Sequence, residues 1–175
     1  MPGQAVTERR IRQIDPNAFP DPNMMFLCFD GWDGEIPLGR VLSAYPPYEL
    51  PFAGLGDLLL TVDRLCDRLH ISQSFMELRR PEASKGYRRP ENGEWNQHDA
   101  AVPMSYDQLW HRFGEARVFT LHIQFRRNAT WQGHILMGTR SRRPTPFRSA
   151  LELLNLLNSA LKGDTAEKDL EEKVW

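Results

Sequence analysis

The feature of this sequence that most constrains its fold is a pattern that occurs twice. Phe52-Ala53-Gly54-Leu55-Gly56-Asp57-Leu58-Leu59 and Phe147-Arg148-Ser149-Ala150-Leu151-Glu152-Leu153-Leu154 both read Phe-x-small-x-x-acid-Leu-Leu, 95 residues apart. The match continues without a gap, pairing Val62 with Leu157 and Cys66 with Leu161. Upstream, Gly39-Arg40-Val41-Leu42 and Gly133-His134-Ile135-Leu136 correspond at an offset of 94, each after an apolar strand-like run. Self-similarity at a fixed offset is the mark of one supersecondary unit used more than once. The expectation is an α+β chain of two pseudo-repeated antiparallel β-hairpin units, β-β-(β)-α, with the helices packed on one face of the sheet.

In the second unit, Phe119, Leu121, Ile123 and Phe125 alternate with Thr120, His122, Gln124 and Arg126, the period of a half-buried strand. A short polar link leads into Trp131 to Met137 as the returning strand of a hairpin. Thr145 to Arg148 supply a possible third strand that Pro144 and Pro146 would confine to an edge. Ser149 with Glu152 forms a capping-box signature and Gly163 a stop, which predicts a helix over 150–162. Its stripe is Ala150, Leu153, Leu154, Leu157, Ala160 and Leu161. In the first unit, the run from Met24 to Phe29 reads as a strand, Asp30-Gly31-Trp32-Asp33-Gly34 as a turn and Ile36 to Tyr45 as its return. Tyr45-Pro46-Pro47-Tyr48 and Pro51 read as a stiff crossing to a helix striped with Leu55, Leu58, Leu59, Val62, Leu65, Cys66 and Leu69.

These readings divide the chain into an N-terminal arm (1–20), a first unit (21–71), an irregular connection (72–117), a second unit (118–162) and a charged tail (163–175). The connection holds a possible short helix at 105–113 and is expected to drape outside the body. No apolar stretch is long enough to span a membrane and no signal-like segment precedes the first strand, so the expected location is the cytoplasm, with no membrane partner. The two cysteines fall on apolar positions and read as buried hydrophobes. His122 and His134 lie on neighbouring strands of the proposed hairpin, on the same outer face if the register allows, without a third ligand at metal-site spacing. Asp30, Asp33 and Glu35 cluster at a turn, where aspartate serves conformation. There is no nucleophile elbow and no phosphate-loop fingerprint, so no catalytic residue, metal or cofactor is assigned.

Charge is unevenly spread. Residues 15–78 carry ten Asp/Glu against three Lys/Arg, and residues 79–148 carry thirteen Lys/Arg against six Asp/Glu. Either the basic part binds an anion or the two parts attract one another. Arg79, Arg80, Lys85, Arg88 and Arg89 line the connection with Tyr87 and Trp95 interleaved, and Arg126, Arg127, Arg140, Arg142 and Arg143 lie at the hairpin end and in the loop before the last helix. Guanidinium forks suit phosphates and aromatic rings stack on bases, so these are the nucleic-acid or anion-binding candidates. The sequence pI of about 6.5 is below that of a dedicated nucleic-acid domain. The protein-interface candidates are Trp32, Trp95 and Trp110, with Leu151 and Leu156, which broaden the second helix's apolar face beyond the first's.

The stretch from Phe125 to Gly133, Phe-Arg-Arg-Asn-Ala-Thr-Trp-Gln-Gly, followed by Phe147-Arg148-Ser149-Ala150-Leu151-Glu152-Leu153-Leu154, resembles a signature of small bacterial proteins of uncharacterised activity, with a weaker echo in Phe29-Asp30-Gly31-Trp32. The resemblance implies a bacterial origin and carries no mechanism. The function expected from the residues is that of a non-catalytic binding or regulatory protein. Its partner would be another protein or a second copy, as for an adaptor, a self-associating subunit, or an inhibitor encoded by a phage or mobile element. The alternative is a nucleic-acid-binding protein using the Arg-rich connection and hairpin end.

Overall fold

The computed structural model describes residues 15–21, 23–44, 47–69, 102–127, 130–137 and 143–172, the side chains of the last stretch as far as 163. Its strands are β1 (Met24–Asp33), β2 (Ile36–Ala44), β3 (Pro47–Ala53), β4 (Arg117–Phe125), β5 (Gln132–Met137) and β6 (Thr145–Phe147). The helices are α1 (Leu55–Arg68), α2 (Tyr106–Phe113) and α3 (Ala150–Glu172). All six strands form one antiparallel sheet in the order β3-β2-β1-β4-β5-β6. Two β-β-β-α stretches thus lie side by side, joined along β1 and β4 from Met24 opposite His122 to Phe29 opposite Arg117.

Alternation along the strands sends Met25, Leu27, Phe29, Val41, Phe52, Phe119, Leu121, Ile123, Ile135 and Phe147 to one face, where α1 and α3 cover them. Leu58, Val62, Leu65 and Cys66 of α1 and Leu153, Leu157 and Leu161 of α3 meet that face and are buried. Each buried leucine contributes about 1.5 to 3 kcal/mol relative to exposure. The Phe29 ring sits edge-on to Phe52 and to Phe119, so β3, β1 and β4 share one aromatic contact chain.

The opposite face is also covered. Phe26, Cys28, Leu42 and Ala44 project there and pack under Met104 and Leu109, so residues 102–116 are a second layer rather than an external drape. The signal is the unbroken apolar run Met24-Met25-Phe26-Leu27-Cys28-Phe29, which belongs to a strand buried on both sides. Ser105 caps α2, taking the Gln108 N–H while the Gln108 side chain takes the Ser105 N–H. The N-terminal arm adds to this cap, since Tyr106 and Asp107 donate their N–H groups to the carbonyls of Ala18 and Pro16.

Further expectations need correction. Asp30 to Asp33 are not the turn but the end of β1, which continues past a bulge between Phe29 and Gly31 to a turn at Gly34 and Glu35. The proline-rich stretch before α1 is a strand, β3, because it lies at the sheet edge where a missing N–H costs no ladder bond. Gly163 does not stop α3, whose backbone runs on to Glu172. A mid-helix glycine costs only about 1 kcal/mol.

Both sheet edges are blocked in the same way. Strand N–H groups alternate sides. Gly54 donates inward to Pro37, whereas Ala53 donates to the Asp57 carboxylate at 3.0 Å, which puts Pro51 on the outer edge as well. On the other side, Arg148 donates to Glu152 at 2.7 Å, with Pro146 two residues before it. Each edge therefore pairs a proline with a helix carboxylate that consumes the next outward donor, leaving little for an added strand to bind.

Gly39 and Gly133 hold the hairpins together at corresponding points. Each lies beside a bulge, between Phe29 and Gly31 or between Ile123 and Phe125, and each faces a phenylalanine, Phe52 or Phe147. A methyl group at Gly39 would fall on the Cys28 carbonyl oxygen and the Phe52 ring, and one at Gly133 on the His122 carbonyl oxygen. We expect Gly39→Ala and Gly133→Ala each to lower the unfolding free energy by about 1 to 3 kcal/mol in urea denaturation, as overpacking does. Gly56→Ala, which meets nothing within 4 Å on the exposed side of α1, should instead be neutral or slightly stabilising.

Candidate functional site

Arg126, the residue after β4, turns inward. Its side chain is 4% exposed and is held by two carboxylates of α1, Asp67 Oδ1 and Asp63 Oδ1, both at 2.6 Å. Trp131 Nε1 donates to the same Asp63 oxygen at 3.1 Å. Asp63 and Asp67 are one helical turn apart and so face the same way. The Asp67 hydrogen bond and the Asp63 charge raise the Arg126 pKa despite the opposing effect of burial. Arg126 is therefore not an exposed anion contact but an ion pair between the two halves of the chain. The spacing of Asp63 and Asp67 was visible in the sequence, but nothing there pointed to the arginine that joins them.

A second charge network lies on the α2 face. Arg40 of β2 makes a two-pronged bond to Asp30, with Nε to Oδ2 and Nη2 to Oδ1 both at 2.8 Å, and a third bond to Glu49 at 2.8 Å. It also donates to the Arg112 carbonyl at 3.1 Å near the end of α2, while Arg112 binds the other Glu49 oxygen at 2.9 Å. The bonds to Asp30 and Glu49 raise the Arg40 pKa, and the bond from Arg40 lowers that of Glu49. Asp30 is thereby a partner of Arg40 and not a free acid. Burial pushes the thiols of Cys28 and Cys66 up to about 12, so both are protonated and weakly nucleophilic at neutral pH.

The other candidates are scattered. Arg127 is exposed, with its guanidinium 4.8 Å above the half-exposed Phe125 ring, and its backbone is pinned by the Gln132 amide, which also reaches the Arg148 carbonyl. Arg143 is exposed in the loop before β6. Trp32 at the β1–β2 end and Leu151 at the start of α3 are exposed, whereas Leu156 packs against the first-face core and Trp110 is half-buried with its ring near Tyr106. Arg79, Arg80, Lys85, Arg88, Arg89, Trp95, Arg140 and Arg142 lie outside the described residues. His122 and His134 are direct cross-strand partners, and among the described residues no group of three His, Cys, Asp or Glu could hold a metal ion. No described helix is long and apolar enough to cross a membrane. No family model matches the chain, and no curated protein or solved structure is significantly similar to it.

Removing one partner of a buried pair leaves the other charge unsatisfied. We expect Arg126→Met to lower the unfolding free energy by about 3 kcal/mol, and Arg126→Met with Asp67→Leu to recover part of that loss in a double-mutant cycle. Glu49 has a folded-state pKa below its unfolded value, so its contribution is present above the unfolded pKa and is lost as pH falls through the folded one. Glu49→Gln should therefore flatten the loss of stability on acidification, read as the urea midpoint against pH.

Proposed function

We propose that this chain is a non-catalytic binding or regulatory protein that acts through a protein partner, as an adaptor, a self-associating subunit or an inhibitor. One observation carries the reading. Large apolar side chains stand in solvent, Trp32 at 50%, Leu60 at 64% and Leu151 at 67% exposure, while several groups suited to chemistry are engaged in holding the fold. Asp30 and Glu49 are bound by arginines, Arg126 is buried between aspartates, and the two thiols are buried and protonated. Exposed tryptophan and leucine offer association the apolar area from which it draws most of its free energy.

Arg127 stacked on Phe125 favours nucleic acid as a second reading, because an exposed arginine–aromatic pair can contact both phosphate and base. The two readings separate in one experiment. The tagged full-length chain is used to capture partners from its host with and without nuclease. We expect a protein to remain after nuclease treatment, and to be retained by an Arg127→Glu variant. Nucleic acid recovered only without nuclease, released by moderate salt and lost in Arg127→Glu, would overturn the first reading in favour of the second.

A further inference from the structure

The β1–β2 end carries more exposed apolar surface than a hairpin turn needs. Trp32 is 50% exposed and Ile36 49%, and Asp33, Gly34 and Glu35 between them are exposed as well. Trp32 is opposite Pro37, and Asp33 is opposite Ile36. Alternation therefore puts Trp32 on the face that bears α1 and α3, and Ile36 on the other. The end is apolar on both sides and acidic at its tip. Among the described residues, Trp32 makes no hydrogen bond or ring contact, and no cation pairs with Asp33 or Glu35.

The corresponding end of the second half is closed. The bulges of β1 and β4 fall at matching register positions, Phe29/Gly31 and Ile123/Phe125, so the position next after each bulge is Trp32 in one half and Arg126 in the other. Arg126 is locked to α1 through Asp63 and Asp67. At the same places on α3, by the Phe-x-small-x-x-acid-Leu-Leu alignment, the sequence has Asn158 and Lys162. At the place that corresponds to the lock, Trp32 stands where the second half has Arg126, and α3 has Asn158 and Lys162 where α1 has its two carboxylates, so the indole is presented to solvent.

We propose that the hairpin end formed by Trp32, Asp33, Glu35 and Ile36 is the docking surface of this chain, and that it takes a protein segment bearing lysine or arginine beside aliphatic side chains. This inference rests on the partner-binding reading above. Trp32 and Ile36 supply the apolar contact, the indole face attracts a cation, and Asp33 and Glu35 supply exposed negative charge that selects a basic segment. Strand addition at the sheet edges is opposed by Pro51 with Asp57 and by Pro146 with Glu152, which leaves side-chain contact as the mode of recognition.

The test uses the full chain labelled with 5-fluorotryptophan, the Trp32 fluorine signal being assigned from Trp32→Phe. A synthetic amphipathic Leu/Lys peptide and its Leu/Glu counterpart serve as probes. We expect the Leu/Lys peptide to shift the Trp32 signal ahead of the other four tryptophans, the Leu/Glu peptide to leave it in place, and Asp33→Lys with Glu35→Lys to weaken binding by roughly tenfold or more at an unchanged urea midpoint. A Trp32 signal that does not move, equal response to both peptides, or unchanged affinity after charge reversal overturns the proposal. Capture from the host keeps the two readings apart. A partner retained by the charge-reversed variant overturns this surface while leaving the binding reading standing, and a wild-type chain that captures no protein overturns both.

Discussion

The antiparallel pairing of β1 with β4 is the contact on which the rest of the molecule depends. Without it, the chain would be two three-stranded meanders, each with one helix and each too small to enclose an apolar core of useful size. With it, Phe29 meets both Phe52 and Phe119, and the cores under α1 and α3 merge into one. The pairing joins residues about ninety apart in sequence, so a large loop-closure cost must be met before the central strands gain their neighbours.

The uneven charge of the sequence takes on a structural meaning in this setting. Arg126 comes from the basic stretch and binds Asp63 and Asp67 of the acidic one, and Arg112 likewise reaches Glu49. Of the residues that looked like potential anion contacts, Arg126 is instead internal adhesion between the two halves. Such pairs add orientation as well as energy, because a guanidinium held by two carboxylates tolerates little sliding of β4 past α1. The Arg40 network does the same on the opposite face, tying β1, β2, β3 and the end of α2 together.

The two halves differ most where they meet solvent. Their edges are closed by the same device, a proline and a helix carboxylate, which opposes aggregation through strand pairing. Their hairpin ends differ in that one is fastened to a helix through Arg126 and the other presents Trp32. Trp32, Leu60 and Leu151 remain exposed at that boundary.

What the sequence by itself determined is local. The alternation of Phe119, Leu121 and Ile123 against Thr120, His122 and Gln124, the leucine stripes of α1 and α3, and the Ser149 cap all depend on neighbours within a few residues, so their patterns could be read directly. The unbroken run from Met24 to Phe29 already held the information that β1 is covered on both faces, although not which segment covers it. Only the tertiary structure decided that the proline-rich stretch before α1 is an edge strand, that residues 102–116 form the second layer, and that Arg126 points inward while Arg127 points out. These outcomes follow from which surfaces were left uncovered and which charges were left unpaired once the sheet had closed. That balance involves residues tens of positions apart, and no local pattern encodes it.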